Sequence, residues 1–271
     1  MEIEFWGARG TAPVSSPETV RYGGATSCAS MRKTEDEILI IDAGTGIRAL
    51  GLSLIRDRKG PIRVHLLLTH FHLDHIMGFP FFSPLLVRDV ELFIYAPVPV
   101  VETKYYLGGL MSGRYFPIPL TKMPAAKVFK QIHGDPLPVA GFQVSACPLR
   151  HPQGSVAYRI EDGLWKVVFA TDTEHPEYGI DRQLRDFCRE ADFLVYDATY
   201  APEEYAIGKK GWGHSHWRAG VALAHEAGAK RLVLSHHNPD HSDARIDALL
   251  VAAKDSFPMV DAARAGWKRT I

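Results

Sequence analysis

Six of the chain's short apolar runs end on a residue that can bind a metal or move a proton, and this constrains the fold more than any other feature. ILIID ends on Asp42, VHLLLTH on His70, VVFATD on Asp172, FLVYD on Asp197 and RLVLSH on His236, and the run before CPLRH leads to His151. Each run is short, rich in Val, Ile, Leu or Phe, and bounded by Gly, Pro or Asp, as buried strands are. They span 38–42, 64–69, 142–147, 167–170, 193–196 and 231–235, with a seventh at 91–95. In layered α/β folds, ligands bind at the rim where strands end. One histidine there would mean little. Six such endings point to a polar site built along one edge of a sheet.

Helical periods lie between the runs. Ile47, Leu50, Gly51 and Leu54 follow an i, i+3, i+4, i+7 stripe, as do Leu184, Phe187, Cys188 and Ala191, and Ile246, Leu249, Leu250 and Ala253. Ser242 or Asp243 is the expected cap of the last. Trp217, Val221 and Ala224 predict a further helix, capped by Ser215 and ending near Gly228. Strands and helices mix along the whole chain, which predicts an α/β layered architecture. No Ser/Gly tract or charge block marks a linker, so residues 1–271 read as one domain. The stretch 84–130 is less regular, with GGLMSG, PIPLTKMP and scattered aromatics, and reads as an excursion forming a packed lid.

Lys plus Arg and Asp plus Glu both total 31, so the charge is balanced. A chain that grips long nucleic acid usually carries a basic excess, so a small substrate is favoured, with only a local patch at Lys122, Lys127 and Lys130. Cys28, Cys147 and Cys188 show no metal spacing and no disulfide framework; they read as small buried hydrophobes in a reducing compartment. The opening MEIEFWGARGTAP lacks the basic start and apolar run of a secretory signal, and no stretch is long and apolar enough to span a membrane. The expectation is a soluble cytoplasmic protein with no membrane partner.

The densest chemistry is His70-Phe-His72-Leu-Asp74-His75, with four candidate ligands in six residues. His70 and His72 flank one spacer at a strand end and can reach one metal; Asp74 and His75 follow at the next turn and can reach a second. Imidazole suits zinc, iron and manganese, and the carboxylate adds hard-ligand character. The alternative, a solvated His-rich loop, would cluster many polar groups without a ligand at considerable cost.

These four residues match the HxHxDH signature of the metallo-β-lactamase superfamily, and the chain resembles that family from about residue 2 to 243. Asp42, in IDAGTG, resembles the aspartate that precedes the signature, and His151, Asp172 and His236 resemble the later ligands. The resemblance implies an αββα sandwich, two mixed sheets face to face with helices outside. It implies two divalent metals, with zinc first and manganese or iron as alternatives. One would be held by His70, His72 and His151, the other by Asp74, His75 and His236, with Asp172 bridging. A hydroxide between them would be the nucleophile. It also implies a homodimer.

Two further motifs narrow the activity. RHPQGSVAYRIEDG, carrying His151, is similar to the HxxxxxGYRI stretch of the phosphodiesterase branch, which includes tRNA 3′-processing endonucleases and cyclic-nucleotide phosphodiesterases. YDATY at 196–200 and GHSH at 213–216 resemble that branch's HEATF and GHST. By this resemblance Asp197 orients His214, and His214 acts on the phosphoryl oxygen or protonates the leaving alkoxide, so Asp74, Asp197 and His214 are the candidate catalytic residues. The sequence departs from the branch by Asp197 for glutamate and His216 for threonine, which puts substrate preference in question. A phosphodiesterase acting on a small phosphodiester such as a cyclic nucleotide is the leading expectation. The alternatives are a tRNA 3′-processing endonuclease, a thioester or lactone hydrolase, and a non-catalytic metal-containing binding or carrier protein. The diiron oxidoreductase branch places a glutamate where His72 stands, which disfavours a redox role. His237, Asp240 and His241 are expected around the site or in solvent, and His65, His133, His175 and His225 to stand apart from it. Arg9, Arg21 and Tyr22, in the glycine-rich opening loop, read first as structural, with substrate contact as the alternative.

Overall fold

The computed structural model describes residues 2–270. A first mixed sheet contains β1 (Glu2–Gly7), β2 (Cys28–Arg32), β3 (Glu37–Ile41), β4 (Ile62–Leu67), β5 (Val90–Ala96) and β6 (Ala126–Gln131). A second contains β7 (Leu137–Val139), β8 (Phe142–Leu149), β9 (Ser155–Glu161), β10 (Lys166–Ala170), β11 (Phe193–Asp197), β12 (Leu232–Ser235) and β13 (Val260–Ala262). The last strand, β14 (Lys268–Thr270), returns to pair antiparallel with β1. In the first sheet β3 to β6 run parallel, and in the second β10 to β13 do. The strands expected from sequence are all present. Those not expected are β1, β2, β6, β7, β9, β13 and β14; of these β14 is polar, and β1 and β6 alternate charged and apolar residues.

The helices are α1 (Ile47–Asp57), α2 (Leu73–Ile76), α3 (Val100–Leu110), α4 (Arg182–Phe187), α5 (Pro202–Ala206), α6 (Trp217–Ala227) and α7 (Asp243–Ser256). Three apolar layers account for their placement. Ile3, Phe5, Met31 and Leu39 of the first sheet meet Phe142, Tyr158, Ile160 and Phe169 of the second. On its outer face the first sheet packs Ile40, Val64 and Leu66 against Ile47, Leu50 and Leu54 of α1 and Leu107 of α3. The second packs Val168 and Leu194 against Leu184 of α4, Val221 and Ala224 of α6 and Ala253 of α7. Two mixed sheets thus lie face to face with helices outside, the αββα sandwich. The parallel strands inside the sheets, such as β3, β10 and β11, are buried on both faces, which is why they read as unbroken apolar runs; β6, at the edge, is not.

The excursion is narrower than 84–130, because β5 and β6 within it are full members of the first sheet. Its aromatics divide: Tyr105 and Tyr115 are 75% and 81% exposed, while Phe116 packs on the outer layer beside Leu107, Met111, Leu120 and Met123. Ser242 caps α7 by accepting from the Arg245 N–H, but α6 is capped by His216, not Ser215. The Ser215 hydroxyl is occupied by His175 and Tyr196, so the next side chain takes the role. Gly228 ends α6 in the left-handed conformation at φ 65°. The three cysteines are free and buried.

Tyr158 of β9, wholly buried, donates 2.7 Å to the carbonyl of Leu68, tying the second sheet to the strand end that carries His70. Tyr158→Phe leaves that carbonyl without its partner. It is expected to lower stability by about 1–3 kcal/mol in urea unfolding of metal-free protein.

Candidate metal centre and acid–base pair

Strand direction explains why the site forms where it does. Parallel strands β3 and β4 end together, as do β10, β11 and β12, so their C-terminal residues share one rim. The register Ile41↔Leu67 sets Asp42 beside Thr69, whose N–H and hydroxyl both bind its carboxylate. The register Asp197↔Ser235 sets Asp197 beside His236. Asp42, Asp172 and His236 adopt φ of 61°, 59° and 60°, a left-handed conformation that is uncommon for residues other than glycine. Three such residues within two positions of three strand ends are strain concentrated at one place, where the chain turns side chains inward.

The ligand candidates expected from sequence form two groups whose donor atoms lie within 4.8 Å of one another, His70 with His72 and His151, and Asp74 with His75, Asp172 and His236; His214 lies equally close to His151 and Asp172, and to Asp197 and His236. Asp172 touches both groups. Its Oδ1 is 3.7 Å from His70 Nε2 and 3.3 Å from His236 Nε2, and its Oδ2 is 3.1 Å from His75 Nε2. His75 Nε2 and His236 Nε2 face each other at 3.3 Å, and His236 Nε2 is 3.1 Å from Asp74 Oδ2. His70, His75 and His236 are buried, while His72, His151 and His214 are half-buried, so the centre meets solvent along that second row.

The outer partners fix which nitrogen each imidazole points inward. His75 Nδ1 donates to Asp42 at 2.8 Å, and His151 Nδ1 donates to the carbonyl of Gly213 at 2.9 Å. His70 Nδ1 donates to Thr69 and His236 Nδ1 to Thr199, hydroxyls whose own protons go to Asp42 and Asp197. His72 is reversed: its Nε2 donates to Gln153 at 2.8 Å and its Nδ1 faces inward. Five lone pairs and two carboxylates therefore converge, each histidine oriented from behind as metal-bound histidines are. His70 Nε2 and Asp172 Oδ2 are buried without a hydrogen-bond partner, the latter despite its closeness to His75. Such a donor set fits divalent cations. The electrostatics agree. Burial pulls the His75 imidazole down, but Asp172, Asp74 and Asp42 outweigh it and hold it well above its ordinary range. The cluster favours positive charge at its centre.

Asp197, fully buried, accepts from His214 Nδ1 at 2.9 Å, from the N–H groups of Asp172, Thr199 and Ser215, and from the Thr199 hydroxyl. Burial raises its pKa, but His214 and its other partners prevail and keep it ionised. His214 Nδ1 also lies 3.9 Å from Asp172 Oδ1, beside the metal cluster. The backbone of Gly213, at φ 85°, leaves no room for a Cβ, which would strike His151.

Several supporting residues were not anticipated. Thr11 donates its N–H to Asp74 Oδ2 at 2.7 Å, and no sequence signal marks it. Thr199, Ser215 and Gln153 lie inside the motifs that carry the resemblance and could have been read from them. His175 does not stand apart: its N–H and ring both meet Ser215, which binds Asp197. His237 donates to the Ala263 carbonyl, and His241 pairs with Glu204. Arg9 is wholly buried, and Arg21 and Tyr22 bind Asp247, so none of the three is placed for substrate.

A family model described as a β-lactamase superfamily domain matches residues 38–237, a span containing every ligand candidate together with Asp197 and His214. Ribonuclease Z of Bradyrhizobium sp. (strain ORS 278) is 26% identical, over 81% of this chain and 85% of its own length. Among solved structures, the metallo-β-lactamase fold protein YhfI from Bacillus subtilis superposes with a TM-score of 0.74 at 21% identity, covering 99% of both chains. A diphosphatase from the PhnP family gives 0.72 at 17% identity, covering 100% of this chain and 97% of its own. The matched span, the αββα layers and the rim of histidines and aspartates agree, and the chain belongs to the metallo-β-lactamase superfamily of metal-dependent hydrolases.

Proposed function

We propose that the protein hydrolyses a phosphodiester, and that the substrate is a small one such as a cyclic nucleotide. The observation that carries this reading is the Asp197–His214 pair, held at 2.9 Å on the solvent-reaching side of the metal cluster. Asp197 takes the Nδ1 proton, so His214 presents Nε2 outward. A histidine so held can donate a proton to a leaving alkoxide. His70, His72 and His151 would hold one divalent ion, zinc first among the candidates, and Asp74, His75 and His236 the other, with Asp172 between. Ions bound there would lower the pKa of water and offset charge developing on the phosphoryl oxygens. Thr11 fixes Asp74, and Asp42 fixes His75, so these ligands need little rearrangement to act. The balanced charge favours a small substrate over a long polyanion.

A second reading, a tRNA 3′-processing endonuclease, is favoured by the ribonuclease Z relative, which this chain matches over most of its length. The first test is hydrolysis of bis(p-nitrophenyl) phosphate by zinc- or manganese-loaded protein. Turnover leads to a comparison of cyclic nucleotides with a precursor tRNA, which separates the two readings. No turnover with metals demonstrably bound removes both and directs the search to thioesters and lactones.

Metal should also stabilise the fold, because the ligands come from both sheets. Free zinc at a hundredfold over its Kd is expected to add about 2.7 kcal/mol to unfolding, and a chelator to remove it. A thermal melt with and without chelator measures this, and an unchanged midpoint would count against a bound metal.

A further inference from the structure

The opening loop at 8–12 touches half of the metal centre. Its Thr11 N–H holds Asp74 Oδ2 at 2.7 Å. Its Gly10 lies so close to the His236 ring that a Cβ would collide with Cε1 and Nδ1. The loop itself is laced to the segment after β12. The Gly10 N–H donates to the His237 carbonyl at 3.0 Å, and the His237 N–H donates to that of Ala8 at 2.9 Å.

Arg9 locks this pairing. Its side chain is fully buried, with Nε donating to the Gly23 carbonyl at 3.0 Å. Nη1 donates to the carbonyls of Asn238 at 3.0 Å and His241 at 2.7 Å. Nη2 makes no hydrogen bond and is balanced only by Asp243 at 3.7 Å. One guanidinium therefore joins three separate carbonyls from two loops, a task its rigid fork performs and a lysine ammonium does not. Burying this charge with one polar atom unmatched is costly. A lone aliphatic side chain would fill the space more cheaply, so the arginine's value lies in what it positions.

We propose that Arg9 is a positioning residue for the second metal group alone. It sets the loop that places Thr11 against Asp74 and Gly10 against His236, and leaves the His70, His72 and His151 group untouched. This rests on the two-metal reading above. Neither Arg9 nor Gly10 contacts any residue of the first group among the described hydrogen bonds and close approaches.

The test is zinc stoichiometry and affinity at buffered free zinc, by elemental analysis and competition with a chromophoric chelator, alongside thermal melts of metal-free protein. Wild-type protein is measured first, and is expected to hold two zinc ions per chain. Arg9→Lys is expected to hold one as tightly as wild type and the other about tenfold to a hundredfold more weakly, the range seen when outer partners of metal ligands are removed. Arg9→Lys combined with His72→Ala, which disables the first group, should hold no zinc tightly. A merely structural role would lower the melting temperature without discriminating between the metals. Equal weakening of both ions, or wild-type affinity for both, overturns the proposal. Should Arg9→Lys fail to fold, Gly10→Ala carries the same expectation, because its Cβ presses on His236 while Arg9 stays in place. Wild-type protein that takes up no second ion overturns the two-metal reading and this inference with it, and that result is in hand before any variant is made.

Discussion

Asp172→Asn protein is expected to lose tight metal binding and at least about 10³-fold in phosphodiester turnover, the equivalent of roughly 4 kcal/mol of transition-state stabilisation. Asp172 is the group that reaches both halves of the centre, 3.7 Å from His70, 3.1 Å from His75 and 3.3 Å from His236. Asparagine keeps its size and tolerates the left-handed φ of 59° that most residues resist. Its only large change is the lost charge. Burial raises the Asp172 pKa, but His236, His75 and His70 together hold it well below the usual carboxylate range, so the ionised form is the one that the site is built around. Elemental analysis and bis(p-nitrophenyl) phosphate assays measure the two effects. Retention of two metals with near-normal turnover would show that Asp172 is not the bridge, and would move that role to Asp74. A collapse of the fold in place of a loss of metal is not expected, since the side chain's backbone supports, the Asp172 N–H to Asp197 and the Ser155 hydroxyl to the Asp172 carbonyl, do not depend on its carboxylate.

The strands that carry this chemistry were legible because they are parallel and buried on both faces, giving unbroken runs such as ILII and FLVY, and because each stops at a polar residue. The ligand cluster was legible because HFHLDH packs four donors into six residues. What could not be read is of two kinds. Backbone donors leave no trace in side-chain identity: Thr11 acts through its N–H, and any non-proline residue supplies one. Contacts that depend on tertiary approach are equally silent. Arg9, in a glycine-rich loop, carries no sign of its partners in the sequence, and only the fold shows that it is buried against carbonyls more than 200 residues away in the chain. The aromatics of the excursion are silent in the same way: composition does not say that Phe116 packs on the outer layer of the first sheet beside Leu107 and Leu120 while Tyr105 and Tyr115 stay exposed.

His214→Ala is expected to separate proton delivery from metal binding. The variant is expected to keep both metals, because the groups around His70 and around His75 are each complete without His214, whose Nδ1 is committed to Asp197. Turnover of a substrate with an alkoxide leaving group, such as a cyclic nucleotide, should fall about 10²–10⁴-fold, the usual worth of a positioned general acid. Turnover of bis(p-nitrophenyl) phosphate should fall far less, since a nitrophenolate leaves without protonation. The ratio of the two losses is the informative quantity. A large loss on both substrates would mean that His214 acts on the phosphoryl oxygen, stabilising charge that develops whatever the leaving group. A negligible loss on both would remove it from the mechanism and leave Asp197 as a structural hub for Ser215, Thr199 and the backbone of Asp172. Asp197→Asn refines the result. It keeps the shape of the hub but withdraws the charge that supports an imidazolium, so it should reproduce the leaving-group dependence in weaker form. Loss of metal in Asp197→Asn but not in His214→Ala would instead place the aspartate's main effect on His236, through Thr199, whose hydroxyl joins the two.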